Sequence, residues 1–257
     1  MHKTAVVIGL GQLGREIAGG LLRTGFTVCP VNRGDDLAAL AEALPEPGLV
    51  LVAVGENDLH PVLSELPAAW REDVVLLQNE LLPRDWQAHD LETPSVLSVW
   101  FEKKRGTDAK ALLPSPAYGP HAAALVAALR AIELPAREVV SEAEMRWELV
   151  RKNLYILTSN IAGLDAGGTV GELWRARRGL AEAVAGEVLQ IQSWLCGEPL
   201  EVGLLMQGML EAFDADPAHN CAGRSAPMRL QRALHHADVA GVAAPVLKEI
   251  AARHGVR

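Results

Sequence analysis

The sequence predicts an α/β fold: a Rossmann-type doubly wound parallel sheet followed by an all-helical C-terminal domain. Three observations carry this. A short apolar run, Thr4-Ala5-Val6-Val7-Ile8, leads directly into Gly9-Leu10-Gly11-Gln12-Leu13-Gly14, which continues into the amphipathic stretch opening Arg15-Glu16-Ile17-Ala18. Residues 4 to about 115 alternate apolar runs with helical stretches, as units of a parallel sheet do. Beyond about residue 140 only helical patterns remain.

The elements follow in order. Val28-Cys29-Pro30-Val31 reads as the second strand. Leu49 to Val54 is continuously apolar, as expected of a parallel strand buried on both faces, and Val74-Val75-Leu76-Leu77 is another such run. Ser95 to Phe101 and Ala111-Leu112-Leu113 read as later strands of the same sheet. Helices are expected over Leu13–Arg23 and Leu37–Leu44, the latter started by Asp35 and Asp36, and after Asp58, which reads as an N-cap with Pro61 in the first turn. His121 to Ile132 is Ala-rich and helical, and Arg137 to Val140 has the pattern of a short strand. Ser141-Glu142-Ala143-Glu144 is a capping box opening a long helix to about Leu164. Thr169-Val170-Gly171-Glu172 is a second, opening a helix to about Cys196, and further helices start near Glu201, Met228 and Ala244. The domains expected are residues 1–138, binding the cofactor, and 139–257, helical, with the chemistry in the cleft between them.

Composition narrows the class. The chain has 257 residues, 49% hydrophobic and 22% charged, which excludes a disordered chain. A net charge of −8 speaks against nucleic acid as a partner. No apolar run approaches the ~18 residues of a membrane span. The chain enters a strand at once, which predicts no signal peptide. The three cysteines, Cys29, Cys196 and Cys221, are scattered with no metal-ligand spacing. A reduced, cytoplasmic protein without a metal site is expected, its partner a small-molecule substrate.

The Gly9–Gly14 turn has the chemistry of a dinucleotide site. The first Gly permits the tight turn, the second lets backbone approach a pyrophosphate, and the third lets the helix pack on the strand. Gly9, Gly11, Gln12, Leu13 and Gly14 are therefore candidate phosphate contacts, at a helix N-terminus whose N–H groups and dipole favour anions. An NAD site usually carries an acidic residue at the end of the second strand. Here that end reads Val31-Asn32-Arg33-Gly34. A guanidinium pairs with a 2′-phosphate that a carboxylate would repel, so Asn32 and Arg33 predict NADP(H). Val54-Gly55 ends the third strand, where a Gly allows close approach to a ligand. Gln78-Asn79-Glu80 ends the fourth, and Asn79 is a candidate contact.

These pieces, in this order, resemble the ketopantoate reductase (2-dehydropantoate 2-reductase) family within the 6-phosphogluconate dehydrogenase-like superfamily. The resemblance rests on Gly9 to Gly14, Arg33, Leu77-Gln78-Asn79 and Gly241-Val242-Ala243-Ala244-Pro245. It implies NADPH-dependent reduction of a 2-oxo acid and a homodimer formed through the helical domain. It also implies a proton-donating Lys and substrate-holding Asn residues on the first long helix of the second domain, and a Glu near the C-terminus that binds the substrate hydroxyl. A positioned ammonium suits that role, since it stabilises the charge growing on a carbonyl oxygen and delivers the proton. The helix from Glu142 offers Lys152, Asn153 and Asn160. Asn153 and Asn160 are seven apart and share a face.

The chain also departs from the family pattern. Aligning on Trp147 puts Leu149 at the Lys position, Asn153 at the first Asn and Leu157 at the second. Aligning on Lys152 puts Ile156 at the first Asn and Asn160 at the second. Gly55 stands near the place of a strand-end Lys, and Pro227 or Met228 where the Glu should be. Two readings follow: an NADPH-dependent oxidoreductase acting on a small oxo acid or related carbonyl compound, or an NADP(H)-binding sensor that has lost catalysis. A third, weaker reading is an enzyme like the β-hydroxyacid dehydrogenases. Trp147, Trp174 and Trp194 read as core residues, with dimer-interface anchors the alternative. Arg224 is a candidate carboxylate clamp, and His235-His236 read as surface.

Overall fold

The computed structural model describes residues 3–103 and 106–256. Among them, β1 (Thr4–Ile8), α1 (Gln12–Arg23), β2 (Thr27–Val31), α2 (Leu37–Ala43), β3 (Leu49–Val52), α3 (Leu59–Ser64) and β4 (Val74–Leu76) alternate as expected. Next come α4 (Pro83–Gln87), β5 (Ser95–Leu97), β6 (Phe101–Glu102), β7 (Lys110–Ala111), β8 (Ser115–Tyr118), α5 (Ala122–Ala131) and β9 (Ala136–Glu138). Among the described residues the sheet has seven strands in the order β2-β1-β3-β4-β5-β8-β9. Every pairing is parallel except β5 with β8. β3 is buried at every residue, and Ala5 to Val7 of β1 are completely buried. That is why both read as unbroken apolar runs. Pro30 is tolerated in β2 because β2 is an edge strand.

Two sheet expectations need correction. Ala111–Leu113 does not join the main sheet. Lys110–Ala111 pairs antiparallel with Phe101–Glu102 in a separate two-stranded sheet. Of the run from Ser95 to Phe101, only Ser95–Leu97 forms a strand of the main sheet, and Phe101 belongs to the two-stranded sheet. The strand that does take the place beside β5 is β8, flanked and interrupted by Pro114 and Pro116, residues that ordinarily argue against a strand.

The first compact unit ends at Leu149 and the second begins at Val150, within α6 (Glu142–Ala166). In the first unit, α1 and α5 pack so closely that a Cβ on Gly20 would sit 2.3 Å from the Ala128 carbonyl oxygen. Ser141 caps α6 as expected, its Oγ accepting from the Glu144 N–H (3.1 Å). Hydrogen bonding from Arg137 holds the Glu144 carboxyl below its ordinary range.

The second unit adds α7 (Val170–Ala176), α8 (Arg178–Cys196), α9 (Val202–Ala215), α10 (Ala226–Ala240) and α11 (Pro245–His254). The single helix expected from Thr169 to Cys196 is two. The capping box at Thr169 and Glu172 is formed, but Arg177 adopts φ −133°, ψ 33° and separates α7 from α8. Trp194 is not a core residue. It lies off the stripe of Ala181, Val184, Val188 and Ile191 that α8 buries, and is 39% exposed. Trp174 is half-buried, edge-on to Phe213 with the Arg178 guanidinium 4.8 Å above its ring. Cys221 is buried, and burial pushes its thiol up to about 11, away from nucleophilic use. Among the described residues no helix is long and apolar enough to cross a membrane.

The C-terminal helix is held by a buried carboxylate. Ala244 provides no side-chain cap to α11. Instead Glu187 of α8, 6% exposed, accepts from the Val246 and Leu247 N–H groups at 2.8 and 2.9 Å. Glu187→Ala leaves the buried Leu247 N–H and the half-buried Val246 N–H unsatisfied and is expected to cost about 3 kcal/mol in urea denaturation. Glu187→Gln keeps one acceptor and should cost less. Wild-type stability in Glu187→Ala would count against this account of the cap.

Candidate functional site

The turn after β1 is shaped by backbone contacts. Gly9 has φ 93°, and its N–H donates to the Val31 carbonyl at 3.0 Å. A Cβ on Gly9 would approach the Ala53 carbonyl oxygen to 2.9 Å, and one on Gly14 would lie 2.1 Å from the Gly9 carbonyl oxygen. Gly14 therefore seats α1 against the turn. Gly11 differs: it is the N-cap of α1, without a capping side chain, and nothing lies within 4 Å of a Cβ built on it. Its neighbourhood is open.

That opening belongs to a cleft of about 430 Å³ at the carboxyl ends of β1, β2 and β3. The sheet order β2-β1-β3 reverses direction here, the switch point at which open α/β sheets place ligands. Gly9, Gly11, Asn32, Arg33, Val54 and Gly55 line the cleft. Gln12, Leu13 and Gly14 form the first turn of α1 behind it. Asn79 is half-buried after β4 and is not among the lining residues. Its neighbour Gln78 is buried and ties strands together. Its Nε2 donates to the Val52 and Val54 carbonyls at 2.7 and 3.3 Å, and its Oε1 accepts from the Leu77 N–H at 3.1 Å.

The acidic residues around Arg33 take different roles. Asp36 caps α2, accepting from the Ala38 and Ala39 N–H groups at 2.9 and 3.1 Å. Asp35 folds back on the end of β2 and accepts from the Asn32 N–H at 2.7 Å. Asp58 does not cap the next helix. It sits at φ −92°, ψ −7°, already helical rather than extended, and makes no capping bond. Its carboxylate instead meets the Arg33 guanidinium at 3.0 Å. Asp35, Asp58 and Glu65 all line the cleft. The sequence reading missed them as cleft residues, because Asp58 is 25 residues from Arg33 and no local pattern joins the two.

In the second unit, Lys152 is 6% exposed and Asn153 1% exposed on α6. The Asn153 Nδ2 donates to the Gln192 Oε1 of α8 at 3.1 Å. Asn160 faces a different segment: its Nδ2 donates to the Cys221 carbonyl at 3.0 Å and its Oδ1 accepts from Arg229 at 2.8 Å. The two Asn side chains are thus tied to separate elements. Arg224 and His235 are exposed. Among the described residues no three His, Cys, Asp or Glu side chains group as a metal ion would require.

No family model and no curated protein matches the sequence. Solved structures do match. A 2-dehydropantoate 2-reductase from Methylococcus capsulatus superposes with a TM-score of 0.70 at 16% identity, covering 98% of this chain and 96% of its own. A ketopantoate reductase from Ralstonia eutropha gives 0.68 at 18% identity, covering 97% and 96%. The fold is that of the ketopantoate reductases. A D-mandelate dehydrogenase with NADH and anilino(oxo)acetate shares it, with a TM-score of 0.68 at 14% identity and 96% coverage of both chains. Within the ketopantoate reductase fold of this chain, the Gly turn, the open β1–β3 crevice and the long α6 are all present.

Proposed function

We propose that this chain is a nicotinamide-dinucleotide-dependent oxidoreductase that reduces a small oxo acid or related carbonyl compound, with NADPH as donor. The observation that carries the reading is the Gly9–Gly14 turn opening onto a cleft at the sheet's switch point. The cleft fits the group: its volume is that of a small-molecule site, and the space beside Gly11 would be filled by any Cβ. Gly9, Gly11 and the first N–H groups of α1 would hold the pyrophosphate. Arg33 would pair with a 2′-phosphate. When bound, the reduced nicotinamide supplies a hydride to the carbonyl carbon. Lys152 would give its proton to the carbonyl oxygen, which stays on the carbon and becomes the product's hydroxyl. The solved reductases and dehydrogenases of this fold support the reaction class. The resemblance noted above supports a homodimer.

One observation favours a second reading, a cofactor-binding sensor without catalysis: Asn160, a candidate substrate ligand, already spends its amide on Cys221 and Arg229. Anaerobic screening of oxo acids with NADPH separates the two, since turnover of any one supports the enzyme. Fluorescence titration tests the cofactor. Wild-type protein is expected to bind NADPH more tightly than NADH. Arg33→Ala should weaken NADPH about 10- to 30-fold, the size of a lost charge-assisted contact, and leave NADH nearly unchanged. Tighter binding of NADH by the wild type would sink the NADPH assignment.

A further inference from the structure

Arg33 does not wait alone for a phosphate. It comes from the end of β2, Asp58 comes from the turn after β3, and their charged groups meet at 3.0 Å on the wall of the same cleft. We infer that Asp58 sets the choice between NADPH and NADH by competing with the 2′-phosphate for Arg33. The inference rests on the cofactor reading above.

The pair is open to solvent, with side-chain exposures of 88% for Arg33 and 51% for Asp58. Such a pair is weak, holding its partners by a factor of about 5 or less. It is therefore a latch that a dianionic phosphate displaces rather than a fixed structural bridge. Displacement has two consequences. The phosphate must first separate Asp58 from Arg33, and the released carboxylate then remains nearby as a like charge, which disfavours the phosphate again. NADH meets neither obstacle. Its 2′-hydroxyl donates to a carboxylate, and both Asp58 and Asp35 are at hand. The lining residues contain Arg33 against Asp35, Asp58 and Glu65. A cleft so balanced restrains its own preference for NADPH, and Asp58 is the carboxylate that acts directly on the guanidinium.

The test is the ratio of Kd values for NADPH and NADH in the full-length protein. Asp58→Asn is isosteric, removes the charge and exchanges one acceptor oxygen for an NH2 donor. It is expected to tighten NADPH about 5- to 10-fold, with NADH unchanged or slightly weaker. Glu65→Gln removes a charge from the same cleft without touching the latch and should move the ratio less than twofold. In an Arg33→Ala background the part of the Asp58→Asn effect that comes from competition for the guanidinium should vanish, leaving only the like-charge part, as a double-mutant cycle requires of directly coupled groups. A ratio unchanged by Asp58→Asn overturns the inference, and so does an equal shift in Glu65→Gln, which would reduce the effect to net charge. Failure of the wild type to bind either dinucleotide would instead bring down the cofactor reading, so the two failures are distinct.

Discussion

Gly14→Ala is expected to lose both stability and nucleotide binding. The added methyl would lie 2.1 Å from the Gly9 carbonyl oxygen and 3.2 Å from the Ala53 Cβ. Gly9 cannot yield, because its N–H is bonded to Val31 and its Cα faces the Ala53 carbonyl. Relief requires α1 to move away from β1. Overpacking of this kind costs up to about 3 kcal/mol, and a backbone obstacle places this case at that upper end. The same displacement pulls the helix N-terminus from its proposed phosphate, so the Kd for NADPH should rise at least about 100-fold. Gly11→Ala provides the contrast. Its φ of −67° and ψ of −164° suit any residue, and nothing lies within 4 Å of the new Cβ. It should keep the wild-type Tm while weakening NADPH about tenfold, because only a bound pyrophosphate needs that space. Thermal melts and fluorescence titration read both. A wild-type Tm in Gly14→Ala, or a wild-type Kd in Gly11→Ala, would contradict the assignment of these glycines.

The difference between these two glycines was legible in the sequence only as a motif. The β1-turn-α1 unit could be read because its signals are local: an apolar run, three spaced glycines and an amphipathic helix within twenty residues of chain. The parallel strands could be read because burial on both faces leaves no polar alternation to confuse with a helix. Where neighbours in space are distant in sequence, the reading failed. β8 carries prolines, and what makes it a strand is the vacancy beside β5, a property of the sheet and not of Ser115–Tyr118. The break at Arg177 has no Pro to announce it, only Gly179 beyond. Gln78 has the residue type of a ligand contact, yet its amide is consumed by strand carbonyls, and composition cannot tell the two uses apart. Asp58 is the instructive case. Its position before a helix was correctly seen, but its backbone is already helical rather than extended as an N-cap requires, and its carboxylate meets a guanidinium brought in across the sheet.

Lys152→Met is expected to remove turnover while leaving the cofactor bound. The proposed reaction builds negative charge on a carbonyl oxygen, and a positioned general acid contributes about 10² to 10⁴ in rate. The neighbouring cation on α6, Arg151, bonds to α9: its Nε donates to the Gly208 carbonyl at 2.9 Å and its Nη2 to Glu211 at 3.0 Å. Its guanidinium would also be a poor donor, since it holds its proton too tightly. Lys152, buried beside it, is the proposed donor, because an ammonium can give a proton and recover it. Met keeps the length and apolar stem of the side chain, so the variant separates charge from packing. With an oxo acid identified by the NADPH screen, kcat should fall about 100-fold or more, with the Kd for NADPH unchanged. Lys152→Arg keeps the positive charge and should recover little of the rate, which distinguishes proton delivery from simple electrostatic attraction. A kcat within twofold of wild type in Lys152→Met would remove Lys152 from the mechanism and require another proton donor.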